Sequence, residues 1–205
     1  MNNLTNMPPE GSSEYDDLMR SNFGENYEFG FRIGFGKRLL AFIIDFVLIS
    51  IISFIILSFT DVFGVLSNLL KDAINQLDTF DFTIIETEIL KILPISLLIH
   101  FLYYSTEVLM GASPGKLALS IKIGNENRTE ATTNILLIRY LYKNADKLFT
   151  LLFIISSIYL FDLFSTLTGL AIIIGFFFTL SYKRQAFHDT LSKTAVFHKE
   201  NIKVE

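Results

Sequence analysis

Composition places this 205-residue chain outside the range of ordinary soluble domains. Hydrophobic residues make up 51% of the sequence, Phe alone occurs 21 times, and the mean hydropathy is +0.45. Such an excess of apolar side chains indicates a membrane protein. The chain contains no Cys, which excludes disulfides, thiolate metal sites and cysteine nucleophiles. Its formal charge of -4 is less informative than the way the charges are distributed.

The first 30 residues are polar and acidic, and they predict a disordered cytoplasmic tail over residues 1–30. An apolar run follows at residues 39–59, which matches the ~20 residues that a helix needs to cross the hydrocarbon layer. The length of this run and the polar segment before it distinguish it from a cleaved signal peptide. We therefore expect a first membrane span, interrupted by one acidic residue, Asp45.

An acidic loop lies beyond the first span, at residues 60–91. Within it, residues 65–77 predict a short amphipathic helix on the outer surface, because apolar side chains recur there at helical spacing. These side chains are Leu66, Leu69, Leu70, Ala73 and Leu77. A second apolar run at residues 92–110 predicts the next span.

The GASPGK stretch at residues 111–116 resembles a phosphate-binding loop but does not have the spacing of that motif. Three residues separate its first Gly from Gly-Lys where that motif needs four, and Leu117 follows in place of Ser or Thr. We interpret it as a Gly-Pro turn that ends the second span. Residues 116–132 follow, with apolar and polar residues alternating up to Gly124-Asn125, and this segment predicts a short hairpin or an interfacial strand pair.

Residues 134–147 have the periodicity of a helix with two unlike faces. One face carries Arg139, Lys143, Asp146 and Lys147, and the other carries Ile135, Ile138, Leu141 and Tyr142. This pattern predicts a helix in the inner membrane interface, with its basic face toward anionic headgroups. The alternative is a cytosolic linker helix.

The longest apolar segment, residues 148–181, is too long for one span. It predicts a hairpin of two spans at about 148–161 and 165–181, with Asp162 at the turn. Basic residues precede the first span, separate the second from the third, and follow the fourth, whereas the other two loops are acidic. Since basic loops stay in the cytoplasm, four spans with both termini cytoplasmic satisfy every loop. A three-span arrangement would place Lys183 and Arg184 outside. The predicted fold class is an all-α membrane protein.

Polar residues within the spans are the candidate site, because a charge inside a bilayer is costly and usually faces a partner. Arg38 lies seven residues before Asp45, on nearly the same face of the first span. His100, Tyr104 and Glu107 form one polar stripe on the second span, at depths that bracket Asp45. These five residues predict a shared polar pocket in the inner half of the membrane.

His188 and Asp189 follow the last span and are candidates for the inner mouth of that pocket. Two interpretations of the pocket stay open. In the first, the pocket is a cation or proton site, because burial raises the pKa of a carboxyl group and histidine titrates near neutral pH. Otherwise it is structural, with Arg38 paired to Asp45 or with polar groups joining the helices.

Three blocks of sequence together resemble the signatures of RDD-family membrane proteins, named for an arginine and two aspartates. The blocks are FGFRIGFGKRLLAFIIDFVLI, GASPGKLALSIKI and KRQAFHDTLSKTAV. They occur in the family's order, and the resemblance as a whole covers most of residues 30–197. The resemblance implies that Arg38 and Asp45 are the arginine and the first aspartate, and that Asp189 is the second. Two positions depart from the family, since Ser120 replaces a common Gly and Ser192-Lys193 replaces a small residue followed by Gly.

The resemblance implies a transmembrane domain over residues 31–197 and a cytoplasmic tail at 198–205, in a protein of the bacterial inner membrane. Members of this family are presumed to take part in transport, and some are proposed to be sodium/proton antiporters. By that analogy Asp45 binds the cation or proton, Arg38 sets its pKa, and Asp189 guards the inner mouth.

Two functions therefore remain open. One is a transporter of a small solute, or of a monovalent cation against protons, which we expect to be a homo-oligomer because four spans are few to enclose a pathway. The other is a non-transporting subunit or assembly partner in a larger membrane complex, with Arg38 and Asp45 as a structural ion pair. An enzyme is not expected, because no nucleophile stands beside a base at a recognisable spacing. The expected partner is the lipid bilayer, with no nucleic acid, cofactor or metal.

Overall fold

The protein is predominantly helical in a computed structural model that describes residues 8–9, 12–24, 26–75 and 83–203. The helices are α1 (Ser13–Phe23), α2 (Asn26–Phe31), α3 (Phe35–Ser58), α4 (Val62–Asn75), α5 (Thr83–Met110), α6 (Pro114–Ala118), α7 (Thr133–Lys143), α8 (Ala145–Ser156), α9 (Tyr159–Phe177) and α10 (Phe187–Leu191). The strands are β1 (Ile121–Asn125) and β2 (Thr194–His198). Short 3-10 turns follow α9 at Phe178–Leu180 and β2 at Lys199–Asn201.

Among the described residues, three helices are long and apolar enough to cross a membrane: Phe35–Ser58, Ile89–Met110 and Tyr159–Leu180. They correspond to the first, second and last of the predicted spans. The predicted span at 148–161 differs, because α8 has only 12 residues. At ~1.5 Å per residue it is about 18 Å long, which is shorter than the hydrocarbon layer.

The turn of the α8–α9 hairpin also lies elsewhere than predicted. The chain reverses at residues 157–158, where Ser157 adopts a left-handed conformation with φ 56° and ends α8. Asp162 lies instead in the first turn of α9, where a carboxylate is favoured by the helix dipole. The amphipathic helix predicted at 65–77 is present as α4, except that Leu77 lies outside the described residues. Its placement on the outer surface stays a prediction.

The described chain is mostly helical, as predicted, with one two-stranded sheet that the all-α class did not include and that replaces the predicted local hairpin. β1 pairs antiparallel with β2, with Ile121 opposite His198 and Asn125 opposite Thr194. The partner of the alternating segment is thus the C-terminal strand, which is buried along nearly its whole length. Ile121, Ile123 and Val196 belong to a buried cluster that also contains Ala41 of α3. The sheet therefore packs against the beginning of the first candidate span. We call residues 114–131 and 185–203, which contain both strands together with α6 and α10, the cap.

The described part of residues 1–30 is helical, contrary to the predicted disordered tail. Asp16 of α1 is only 2% exposed, because Arg128 and Lys203 contact its carboxylate at 2.8 and 2.6 Å. Arg128 also donates to Glu28 of α2 at 2.7 Å. Burial alone would raise the pKa of Asp16, but its basic neighbours and the Tyr27 hydroxyl lower it to about 2. These ion pairs join α1 and α2 to the cap.

The predicted interfacial helix at 134–147 is two helices, interrupted at Asn144. Its orientation is the reverse of the prediction. Arg139 is buried inside the protein at 2% exposure instead of facing headgroups, while Ile138 and Leu141 are exposed. A buried arginine needs carboxylate partners, and other helices supply them. An exposed apolar face on α7 suits contact with lipid chains.

Two family departures fall at backbone positions that favour glycine. Ser120, just after α6, and Lys193, just before β2, have φ values of 54° and 53°. Glycine adopts this left-handed region without the steric cost that a Cβ brings, about 1–2 kcal/mol. The backbone adopts the left-handed conformation at both positions although neither residue is glycine.

Candidate functional site

Charged side chains from five helices form one buried network where the candidate spans meet the cap. Asp189 of α10 lies at its centre and is 0% exposed. Arg38 of α3 donates to Oδ2 of Asp189, and Arg139 of α7 donates to Oδ1 at 2.8 Å. Arg139 also donates to Oε2 of Glu107 on α5 at 2.9 Å. Arg139 thus bridges two carboxylates that lie on different helices.

Glu107 receives two further cations on its other oxygen. Lys116 of α6 and Lys143 of α7 lie 2.6 and 2.7 Å from Oε1. Both Glu107 and Lys116 are buried, whereas Lys143 is partly exposed. The network therefore contains four cations, Arg38, Arg139, Lys116 and Lys143, and two carboxylates, Asp189 and Glu107. We call these six residues the ion network.

Burial and the neighbouring charges both shift the pKa values of the groups in the ion network. Burial alone would raise the pKa of the Asp189 carboxyl, but Arg38 and Arg139 beside it hold its pKa well below its usual range. Burial lowers the pKa of the Lys116 amine to about 7, because Glu107 only partly offsets the desolvation and the nearby Arg139 and Lys143 repel the ammonium. Lys116 is thus a buried amine that releases its proton near neutral pH.

The short helix α10 positions both inner-mouth candidates. Asp189 is at the third helical position and accepts a hydrogen bond from the Ala186 backbone N–H at 3.2 Å, which caps the helix. His188 is also buried, and its Nε2 lies 3.1 Å from Nη2 of Arg139. Because a guanidinium only donates, Nε2 must accept, and His188 is therefore neutral with its proton on Nδ1.

The stability of the folded protein should consequently fall in mild acid. Burial lowers the pKa of His188 to about 3, whereas in the unfolded chain it titrates near its usual 6.5. Below about pH 6.5, His188 is therefore protonated in the unfolded chain but neutral in the folded chain. This difference lowers the free energy of unfolding by about 1.4 kcal/mol per pH unit. We expect the thermal midpoint of the purified protein to drop between pH 6.5 and 5. His188→Gln keeps an acceptor for Arg139 and should make the thermal midpoint less dependent on pH in this range. An equal pH dependence of the two proteins would contradict the neutral state of His188.

Asp45 is separate from the ion network and acts as a clamp between helices. Its Oδ1 accepts from the Tyr103 hydroxyl at 2.8 Å and from the Gly115 backbone N–H at 2.7 Å. Its Oδ2 accepts from the Ser113 hydroxyl at 2.5 Å. Asp45 is 3% exposed, so these bonds hold the start of α6 and α5 against α3. The expected Arg38–Asp45 pair is corrected, because Arg38 is paired with Asp189.

Gly115 is required by this close approach of α6 to α3. A Cβ at this position would lie 2.8 Å from the carboxyl carbon of Asp45 and closer still to the backbone oxygen of Ala41. Gly115→Ala should therefore destabilise the protein by about 3 kcal/mol or more. The matched control is Gly36→Ala, where nothing lies within 4 Å of the new methyl group. Thermal midpoints in detergent test this difference, and equal midpoints for the two variants would contradict the clamp.

The remaining predicted residues form a third group. His100 lies 2.9 Å from Oδ1 of Asn144, and its ring centroid is 4.6 Å from that of Tyr104. Nζ of Lys143 lies 4.1 Å from the Tyr104 ring, which makes a cation–π contact with the edge of the ion network. The single predicted pocket is thus divided into the Asp45 clamp, the ion network and the His100–Asn144 pair.

Sequence reasoning missed several members of these groups. Tyr103 shares the helix face of Glu107, four residues further along, and that spacing was a usable signal. Lys116 and Gly115 lay within a stretch interpreted only as a turn. Arg139 was assigned to lipid headgroups. Among the described residues, no three His, Asp or Glu side chains are grouped as metal ligands.

Three candidate membrane spans and a buried ion network at one end of them define an integral membrane protein of the multi-span type. The chain belongs to the RDD family, whose sequence model matches residues 32–193. This match confirms the resemblance seen in the three sequence blocks, and it includes Arg38, Asp45 and Asp189. No match was found among curated proteins or among solved structures.

Proposed function

We propose that this protein is a small secondary transporter of the bacterial inner membrane that exchanges a monovalent cation for a proton, with the Glu107–Lys116 pair at its centre. The observation that carries the proposal is a buried carboxylate oxygen, Oε1 of Glu107, that two lysines share. A metal cation and an ammonium group compete for the same oxygen. Cation entry and proton release are then coupled by one contact.

The charge of the ion network supports this coupling. If a monovalent cation takes the place of the Lys116 ammonium at Glu107 and Lys116 releases its proton, the net charge of the network does not change. The pKa of Lys116 near 7 makes the release possible at neutral pH. Asp45 is less suited to this role, because its donors are the Tyr103 and Ser113 hydroxyls and the Gly115 N–H, with no ammonium that a cation could replace.

A four-crossing arrangement with both termini in the cytoplasm is part of this proposal. The start of α3 and the end of α9 lie together, since Phe35 and Phe176 have ring centroids 5.2 Å apart. The ion network brings the end of α5 to the same side. We therefore infer that the chain crosses the bilayer once more between α7 and the start of α9, although α8 is short. Asp146 of α8 packs against Gly169, near the middle of α9, so α7 and α8 together complete the crossing.

We further propose that the working form is a homo-oligomer or part of a larger membrane complex in the lipid bilayer. Four crossings enclose little space. Many apolar side chains of the spans are exposed, such as Phe46 at 60% and Leu102 at 64%, and these faces suit contact with lipid or with another chain. The proposal includes no enzymatic reaction, no cofactor and no nucleic-acid partner.

The test is proton movement in inverted membrane vesicles from cells expressing this chain. Vesicles acidified inside by respiration receive sodium, potassium or lithium salts, and a fluorescent amine reports the internal pH. We expect a cation-dependent loss of the pH gradient that vesicles without the protein lack. A flat trace with all three cations, from vesicles shown to contain the protein, would refute the exchange.

The second candidate is a non-transporting membrane subunit, and one observation favours it. Every carboxylate oxygen of Asp189, Glu107 and Asp45 has a hydrogen-bond partner, as in a purely structural network. On this proposal Arg38 pairs with Asp189 to hold the spans to the cap, and the protein serves a larger assembly. The vesicle measurement separates the two candidates.

A further inference from the structure

A cavity distinct from the ion network opens at the inner end of the spans. Its volume is about 640 Å³, within the range typical of ligand pockets. It is lined by the chain from Gly30 to Lys37, by residues 179–181 in and after the 3-10 turn that follows α9, and by Arg184, His198 and Asn201. The proposed cation/proton exchange does not involve these side chains.

The lining is strongly cationic. Arg32, Lys37 and Arg184 line the cavity, and no described residue that lines it is acidic. Arg32 is only 4% exposed, and its two terminal nitrogens donate to the backbone oxygens of Lys183 and Glu126. Its Nε is buried without a hydrogen-bond partner among the described residues. A buried donor without an acceptor is costly, so the wall of the cavity includes a guanidinium that is not fully satisfied.

The beginning of α3 adds to this positive potential. Gly34 is the N-cap of this 24-residue helix and offers no side-chain cap, so the first backbone N–H groups of α3 lack that partner. Residues 35–37, which carry these groups, line the cavity. The end of a long helix dipole and three cations therefore act on the same space.

The position of the cavity identifies the class of anion. It lies between the inner ends of two candidate spans, α3 and α9, where lipid headgroups are found. Apolar side chains border it, including Leu180, which is 67% exposed, and Phe35, which stacks on Phe177 at 5.8 Å. Basic pockets between spans on the cytoplasmic side suit acidic lipid headgroups. We propose that this cavity binds the phosphate headgroup of an anionic phospholipid, with its acyl chains along α3 and α9.

Lys37 gives the sharpest test, because it is exposed and its replacement leaves the core intact. Its Nζ lies 2.8 Å from His198 Nε2, and among the described residues it forms no ion pair with a carboxylate that a neutral variant would strand. The matched control is Lys199, an exposed lysine of the same cap that does not line the cavity. The full chain is purified in neutral detergent and titrated with short-chain phosphatidylglycerol, phosphatidylcholine or inorganic phosphate, and bound ligand is counted by native mass spectrometry.

We expect phosphatidylglycerol to bind in preference to phosphatidylcholine. Lys37→Gln should weaken this binding about fivefold and Lys37→Glu about 25-fold, while Lys199→Gln should have no effect. Equal affinity of the unmodified protein and Lys37→Glu for phosphatidylglycerol would refute the site. Inorganic phosphate that binds as tightly as phosphatidylglycerol and displaces it would refute the lipid source and indicate a soluble anion.

Discussion

Asp189→Asn is expected to lower the thermal midpoint of the purified protein by on the order of 10 °C and to reduce its accumulation in the membrane. Asparagine has the same shape as aspartate, so packing and the cap on α10 remain. The change leaves the Arg38 and Arg139 guanidinium groups, both at most 5% exposed, beside each other without the carboxylate between them. Removing one partner of a buried ion pair costs about 3–5 kcal/mol.

The control for this variant is Asp162→Asn, which removes an exposed carboxylate in the first turn of α9. It should shift the midpoint by little, because exposed charges contribute about 0–1 kcal/mol. A second variant, Asp189→Asn with Arg139→Gln, should be less unstable than the sum of the two single changes, since it removes one of the stranded cations. Similar midpoints for Asp189→Asn and Asp162→Asn would show that the ion network does not hold the cap to the spans.

Lys116→Arg should abolish cation/proton exchange while leaving the protein folded. Arginine keeps a positive charge opposite Glu107, so a purely structural pair would survive the change. Its guanidinium does not release a proton near neutral pH, so the proposed coupling would be lost. The measurement is the vesicle assay, with the amount of protein in the membrane determined in parallel. Exchange that persists in Lys116→Arg would contradict the role of this amine.

Asp45→Asn separates this proposal from one in which Asp45 is the proton carrier. The amide retains one oxygen for Tyr103 and Gly115, and its nitrogen can donate to the Ser113 hydroxyl. We therefore expect exchange to persist and the free energy of unfolding to fall by only about 1–2 kcal/mol. Loss of exchange in a well-accumulated Asp45→Asn protein would instead return the carrier role to Asp45.

Several features could be predicted from the sequence because they depend on neighbouring residues alone. The spans at residues 39–59 and 92–110 follow from the local sum of apolar side chains, and so does the apolar character of 148–181. The helical periodicity at 65–77 likewise predicted α4. The family resemblance depended on three blocks in order, which the match over residues 32–193 confirms.

The identity of each ion pair was beyond such reasoning. Arg38 was expected to pair with Asp45, seven residues away on the same helix, yet its partner Asp189 is 151 positions away. The residue pattern along one helix shows on which face a side chain lies, but it does not show which other helix packs against that face. The basic face of α7 was for the same reason assigned to headgroups, although Glu107 and Asp189 face it inside the protein.

The sequence by itself determined that this is a membrane protein of the RDD family, which apolar runs lie in its spans, and that charged residues lie unusually close to them. Those properties are sums over adjacent residues or matches of order, and they need no knowledge of packing. Only the tertiary structure decided that Asp45 is a clamp, that Glu107 is shared by two lysines, and that β1 pairs with the distant β2. Electrostatic and hydrogen-bond energies depend on distances of a few ångströms between remote segments, and only the packed chain sets those distances.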